Sequence, residues 1–383
     1  MTTPVELRSM LRNEVAIGEH EVVRLTEGQY QTLHMLRGVR RASIVGGAGT
    51  GKTMLAAEKA RRLAREGFET LLICFNAPLA RMLADDVAEV ATSTERLTVS
   101  TFHQLCQDLG READVIGERP DPVPPSWWSE TLPNALVEAA ERLGPRYHAV
   151  VVDEGQDFAP DWLLALEALS FGGKEDVLYV FHDPAQAIYR EDVVGQLGLQ
   201  EYSLGLNCRN AQSIHALVAR FAQGGLESDA LRDDGRAPEL IEADGEADGE
   251  AETLEALRKV LHRLRVEEDV APWHIAVLTG ARLEASAVWR KRQFGNEVLA
   301  NPAIDDEGRH LGAPAHETPE LPSDAILCET IRRFKGLERP VVILVELEGL
   351  DADMLDRLLY VGASRARQHL VVIGPPAVLE RLR

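Results

Sequence analysis

The sequence predicts an α/β protein built on parallel sheets and divided into two domains, and three observations carry that prediction. The short apolar segment Arg41-Ala42-Ser43-Ile44-Val45 runs into a glycine-rich loop and then into a helical pattern. Tyr147-His148-Ala149-Val150-Val151-Val152 is apolar in succession rather than in alternation, as a strand covered on both faces requires. His274-Ile275-Ala276-Val277-Leu278 repeats that character in the second half of a 383-residue chain, which is long enough for two or three domains of about 150 residues.

The first of these segments leads into Gly46-Gly47-Ala48-Gly49-Thr50-Gly51-Lys52-Thr53, which fits G-x-x-x-x-G-K-[ST]. From Met54 to Arg65, Leu55, Ala56, Ala60, Leu63 and Ala64 recur at helical spacing, so strand, loop and helix come in the required order. Small residues let successive backbone N–H groups wrap a phosphate chain, and the helix N-terminus adds its partial positive charge. Lys52 then reaches the outer phosphates and Thr53 ligates Mg²⁺. A plain glycine turn is the competing reading, and the flanking strand and helix weigh against it.

A phosphate site of this kind also needs a metal-holding carboxylate and a base for water on a neighbouring strand. The apolar strand at 147–152 ends in Asp153-Glu154-Gly155-Gln156-Asp157 and supplies both. Asp153 is placed to hold Mg²⁺, directly or through water, and Glu154 to orient and deprotonate the attacking water.

Asp153-Glu154-Gly155-Gln156-Asp157 resembles the D-E-x-Q-D motif of superfamily 1 helicases of the UvrD/Rep branch, and other segments resemble that family's motifs in the family's order. Leu25-Thr26-Glu27-Gly28-Gln29 is similar to the Q motif, which implies that Gln29 reads the adenine edge. Ser100-Thr101-Phe102-His103 resembles the T-F-H segment of the strand-binding face. Phe181 through Gln186 to Tyr189 is similar to motif III, in which Gln186 would sense the γ-phosphate. Leu206-Asn207-Cys208-Arg209 resembles motif IV, Thr330 through Lys335-Gly336-Leu337-Glu338 resembles motif V, and Leu359 to Ala366 resembles motif VI.

The resemblance, spanning residues 25 to 367, implies two RecA-like P-loop NTPase domains with an ATP cleft between them. The expected division is an ATP-binding domain at 1–200, with a short insertion at about 105–146, and a second domain at 201–383 that carries two arginine fingers, Arg209 and Arg365. These fixed cations would neutralise charge on the transferred phosphoryl group. ATP would be held by Gln29, the loop 46–53, Gly336 and Glu338, with Mg²⁺ at Thr53 and Asp153. Single-stranded DNA would meet Phe75, Asn76, Thr101, Phe102, His103, Tyr189, Thr330 and Arg333, with 3′ to 5′ movement.

The intervals that hold accessory domains in larger members are short here. Between Thr101 and Asp153 there is room for a Pro-rich loop (Arg119 to Pro125), the Trp127-Trp128 pair and one helix, Leu132 to Leu143. The acidic stretch Glu242 to Glu255 reads as a solvated loop running into a helix. The chain therefore looks like a compact motor, most similar to the helicase part of nuclease-related-domain helicases. It departs from the family at Cys208, where an aromatic residue usually precedes the motif IV arginine, at Glu191-Asp192, where Trp-Arg is usual, and at Arg332, where histidine is usual. Trp289-Arg290-Lys291-Arg292 with Phe294 reads either as a strand-binding cluster or as a helix face with a core tryptophan.

Composition bounds these readings. With 45% hydrophobic and 27% charged residues, the chain is neither collagen-like, mucin-like nor wholly disordered. No apolar run approaches the roughly 20 residues of a membrane span, so the expectation is a cytoplasmic protein with no membrane partner. The cysteines Cys74, Cys106, Cys208 and Cys328 form no C-x-x-C pair, so neither a zinc ribbon nor a disulfide framework is expected. The net charge of −21 repels a polyanion at long range, yet screening over about 10 Å leaves room for a local basic groove. That charge, with Glu191-Asp192, keeps a second function class open: a nucleotide-gated ATPase switch acting on a separately encoded nuclease or other protein.

Overall fold

The computed structural model describes residues 10–22, 27–120, 122–172, 176–186, 197–222, 229–232, 235–243, 249–311 and 319–383. In the first half these form α1 (Leu11–Val22), α2 (Glu27–Met35), β1 (Arg41–Gly46), α3 (Lys52–Arg65), β2 (Thr70–Cys74), α4 (Ala77–Thr94) and β3 (Leu97–Thr101). α5 (Phe102–Glu112), α6 (Leu132–Leu143), β4 (Ala149–Val152), α7 (Pro160–Ala168), β5 (Val177–His182) and β6 (Gln200–Leu204) follow. The six strands make one parallel sheet in the order β3-β2-β4-β5-β1-β6.

Why the strands read as continuously apolar is now visible. Leu71, Ile73, Val150, Val152, Leu178 and Val180 point to one face, where α5, α6 and α7 cover them. The alternate residues Leu72, Ala149, Val151, Tyr179 and Phe181 meet α3 and α4 on the other. Each such side chain contributes about 1.5–3 kcal/mol by leaving water, and only a sheet covered on both faces uses both sets. The expected insertion is thus a crossover between β3 and β4 that roofs the sheet, and Trp127 is buried in it.

The second half contains β7 (Leu206–Ala211), α8 (Gln212–Ala219), β8 (Asp229–Arg232), β9 (Glu239–Glu242), α9 (Gly249–His262), β10 (Ile275–Thr279), α10 (Ala287–Lys291) and β11 (Gln293–Phe294). It continues with β12 (Glu297–Ala300), β13 (Ala325–Thr330), β14 (Arg339–Val345), α11 (Ala352–Ala363), β15 (Ala366–Gly374) and α12 (Pro376–Leu379). Seven strands form a sheet in the order β11-β12-β13-β10-β14-β15-β9, parallel except for the β11/β12 hairpin, and β7 pairs with β8 apart from it. Val342, Leu344, Leu370 and Val372 pack under α8 and α11, and the alternate residues Val341, Ile343, Val371 and Ile373 under α9.

The α/β architecture is as the sequence predicts. Two features at the domain boundary were not anticipated. β6 begins at Gln200 and pairs with β1, so the first sheet runs through the expected division at 200/201. Helix α1 buries Leu11 and Val15 in the second core, and Arg236 holds it there by binding Glu14 and Glu268. Trp289 is a core residue and Arg290 and Arg292 pair with Glu250 and Asp306, so that cluster is a helix face with a buried tryptophan. The cysteines are all free thiols. Among the described residues no helix is long and apolar enough to cross a membrane.

Candidate active site

The glycine loop leaves the end of β1 and the acidic cluster leaves the end of β4, with β5 between them in register: Val45 lies opposite His182, and Val152 opposite Val180. Both loops therefore emerge on one edge of the sheet, where ligand sites of open α/β sheets form. Gly49 and Gly51 take φ of +80° and +84°, which side chains disfavour, and Gly51 also lets Gln29 approach closely, since a Cβ there would lie 2.0 Å from Gln29 Nε2. Gln29 Nε2 donates to the Thr50 carbonyl at 3.1 Å, so this side chain braces the loop from behind.

Lys52 is buried, and its ammonium donates to the Gly46 and Gly47 carbonyls at 2.7 and 2.9 Å with Asp183 3.8 Å away. Burial lowers its pKa, against the opposing pull of Asp183, Glu154 and Asp153. Asp153 is fully buried, and neither carboxylate oxygen has a hydrogen-bond partner among the described residues. Burial and the adjacent Glu154 push its pKa up to about 7, while the nearby Thr53 hydroxyl and Lys52 favour the charged form. An orphaned carboxylate facing a threonine hydroxyl fits a divalent cation. Mg²⁺ takes one or two protein ligands and completes its shell with phosphates and water, so it needs no larger cluster of acids, and none of three or more His, Cys, Asp or Glu is found among the described residues.

Glu154 adopts φ +54°, an uncommon conformation for a non-glycine residue at a strand end, and accepts from Gln156 Nε2. Burial opposes its charge, but Lys335, Arg365 and Lys52 outweigh burial and hold its pKa below the usual glutamate value. Lys335 pairs with Asp157 at 2.5 Å and also donates to the Gln186 carbonyl at 3.2 Å.

The second domain closes the site from the opposite side. Cys208 N donates to the Gly49 carbonyl at 3.0 Å, and Asn207 Nδ2 to the Ala48 carbonyl at 2.9 Å. Asn210 Nδ2 reaches the Ser364 and Ala366 carbonyls at 2.9 and 2.6 Å, which ties the strand carrying Arg209 to the segment carrying Arg365. Arg209 pairs with Glu338, which also lies 3.6 Å from Arg367. Arg365 is 1% exposed, and its guanidinium donates to Gln186 Oε1 at 3.1 Å, the Val361 carbonyl at 2.9 Å and Ser364 Oγ at 2.9 Å. Burial and the neighbouring Arg209 lower its pKa, and Glu154 and Asp183 oppose them. Lysine, two carboxylates, a glutamine and two arginines from opposite domains thus converge on one loop.

Gly336 and Phe102 have surroundings other than those expected, and three further strand contacts, Asn76, Thr101 and Thr330, also carry structural hydrogen bonds. The atoms nearest a Cβ at Gly336 belong to Leu79 of α4, the closest at 2.5 Å, so this glycine permits a close approach of the two domains. Gly336→Ala would meet both that clash and a φ of +76°, and is expected to lower stability by about 1–3 kcal/mol, read as a lower urea midpoint. Phe102 is fully buried with its ring stacked 4.4 Å from that of Trp162, so it belongs to the core and is unavailable to a strand. Asn76 caps α4 and donates to the Lys335 carbonyl at 2.7 Å, Thr101 caps α5, and Thr330 Oγ1 accepts from Arg333 N at 3.3 Å. Tyr189 and the pair Glu191-Asp192 lie outside the described residues.

Phe75, Thr101 and His103 of the first domain face Thr330, Arg332 and Arg333 of the second across a groove of about 1350 Å³. Six basic side chains against four carboxylates line it, so it is net positive on a chain of net charge −21. Phe75 is 36% exposed and stacks on Trp162, giving the groove an aromatic face.

Lys335, Asp183, Asn207, Asn210 and Tyr360 were not singled out from sequence, although all but Asn210, which follows the run 206–209, lie inside a motif-like run. Two segments of the chain match family models: an AAA domain over residues 29–192 and a UvrD-like helicase C-terminal domain over residues 325–373. The first covers the sheet from β1 to β5, and the second covers β13 to β15 with α11. No curated protein matches the chain.

Proposed function

This chain is a UvrD-like superfamily 1 helicase, an ATP-dependent nucleic-acid enzyme by family, and from that premise we propose that it is a single-stranded DNA translocase or helicase that couples ATP hydrolysis to 3′ to 5′ movement. The observation that carries the proposal is Arg365: a guanidinium from the second domain, buried against Gln186 of the first and in charge reach of Glu154.

In this reading the loop N–H groups and Lys52 take the phosphates. Thr53 and Asp153 would hold Mg²⁺, which when bound neutralises phosphate charge. Glu154, kept ionised by three cations, orients the attacking water. Gln186 faces the outer phosphate and passes its presence to Arg365, while Arg209 would exchange Glu338 for phosphate as the cleft shuts. Because contacts to one triphosphate come from both domains, binding favours the closed cleft and hydrolysis releases it. The groove spans the same two domains, so a strand held at Phe75 and His103 on one side and Thr330 to Arg333 on the other would feel that motion.

The test is ATP turnover with and without single-stranded DNA, with unwinding of 3′- and 5′-tailed duplexes in parallel. The expected result is stimulation of at least about tenfold, which corresponds to about 1.4 kcal/mol off the barrier, and unwinding only from the 3′ tail. Turnover indifferent to DNA but raised by a protein partner would establish the switch instead.

A further inference from the structure

Tyr360 has no role in the account above, yet it connects the second domain to the glycine loop. It belongs to α11 and is 2% exposed. Its phenol oxygen accepts from Ala48 N at 3.1 Å and donates to Asp183 Oδ2 at 3.0 Å, so both partners lie in the first domain. Asp183 Oδ2 also accepts from Gln186 Nε2 at 2.7 Å, and Gln186 Oε1 accepts from the Arg365 guanidinium at 3.1 Å. The hydrogen bonds run from loop to phenol to carboxylate to amide to guanidinium, and the circuit closes through the backbone, because only the cap residue Ser364 separates α11 from Arg365.

A hydroxyl that accepts from one group and donates to another fixes both, and in a buried chain of bonds each member constrains the next. Phenylalanine would fill the same volume in a core, so packing alone does not call for the oxygen. Asp183 is the shared node: it takes the phenol and the Gln186 amide, and it faces Lys52 at 3.8 Å.

We propose that Tyr360 is a positioning residue for ATP hydrolysis, registering Arg365 against the glycine loop so that the guanidinium meets the outer phosphate at a set place when the cleft shuts. The proposal rests on the ATPase reading of the cleft. Tyr360 touches the loop only at the Ala48 N–H, so Lys52, Thr53 and the remaining loop N–H groups stay in place for the phosphates. Its effect therefore falls on kcat and passes through Arg365.

The experiment is a double-mutant cycle with Tyr360→Phe, Arg365→Ala and the pair, measured by steady-state ATP turnover and by the affinity of a fluorescent ATP analogue. Tyr360→Phe is expected to lower kcat about tenfold and to move the analogue's Kd less than about threefold. In the Arg365→Ala background it should cost less than about a further twofold. A merely structural tyrosine gives the product of the two single losses, and that result, an unchanged kcat or a Kd that loosens in step with kcat overturns the positioning role. Absent turnover in the unmodified protein, or full turnover in Arg365→Ala, would instead remove the ATPase reading, and Tyr360's part with it.

Discussion

Glu154→Gln is expected to lower ATP turnover by about 10²- to 10⁴-fold while nucleotide still binds. The substitution keeps size and one acceptor oxygen, so the bond from Gln156 Nε2 can persist. What goes is the negative charge, and it goes from a buried place where Lys335, Arg365 and Lys52 all act on it. A glutamate held ionised, with its pKa below the usual value, is a weak base but always presents a charged acceptor, so its contribution is to align and polarise the nucleophile as charge develops. The glycine loop, Lys52 and Thr53 are untouched. Single-turnover hydrolysis should therefore collapse while equilibrium binding of ATP stays within a few-fold, the signature of a lost transition-state interaction. Unchanged turnover would remove Glu154 from the mechanism.

The parts of this site legible in the sequence were those whose chemistry is written in one short run. The loop 46–53 needs glycines at defined offsets because two of its residues have positive φ, and Asp153 and Glu154 follow an unbroken apolar strand because that strand is buried on both faces. What one run cannot show is which distant group a side chain meets. Phe102 stands in a strand-binding motif yet turns inward onto Trp162, since at the first position of α5 the helix periodicity assigns it to the sheet face. Gly336 stands in a nucleotide motif yet is required by Leu79. Tyr360 reads as one more apolar position of α11, and its phenol acquires meaning only because Ala48, 312 residues earlier, presents an N–H to it. Helix α1 was misplaced for the same reason: Leu11 and Val15 carry an apolar stripe, but nothing local names the second domain as its partner.

Arg365→Ala should lower turnover by about 10³-fold or more, the lower end of what an arginine supplied to a phosphoryl transfer contributes. Arg209→Ala is expected to cost less. Arg209 is partly exposed and its charge is already engaged by Glu338, so part of its electrostatic gain on reaching phosphate is offset by giving up a carboxylate. Arg365 has no such partner: among the described residues its guanidinium meets only carbonyl, hydroxyl and amide oxygens, which orient it without neutralising it, within charge reach of Glu154 and Asp183. Removing it leaves Gln186 Oε1 and Ser364 Oγ short of a donor, so some stability is lost as well, and Arg365→Lys separates the two effects. Lysine restores a cation but not the planar fork that binds Gln186 and phosphate together, so it should recover thermal stability more fully than turnover. If Arg365→Ala changes turnover by less than about threefold, against the 10³-fold expected of a finger, the guanidinium does not reach the phosphate and the cleft does not work as a two-sided clamp.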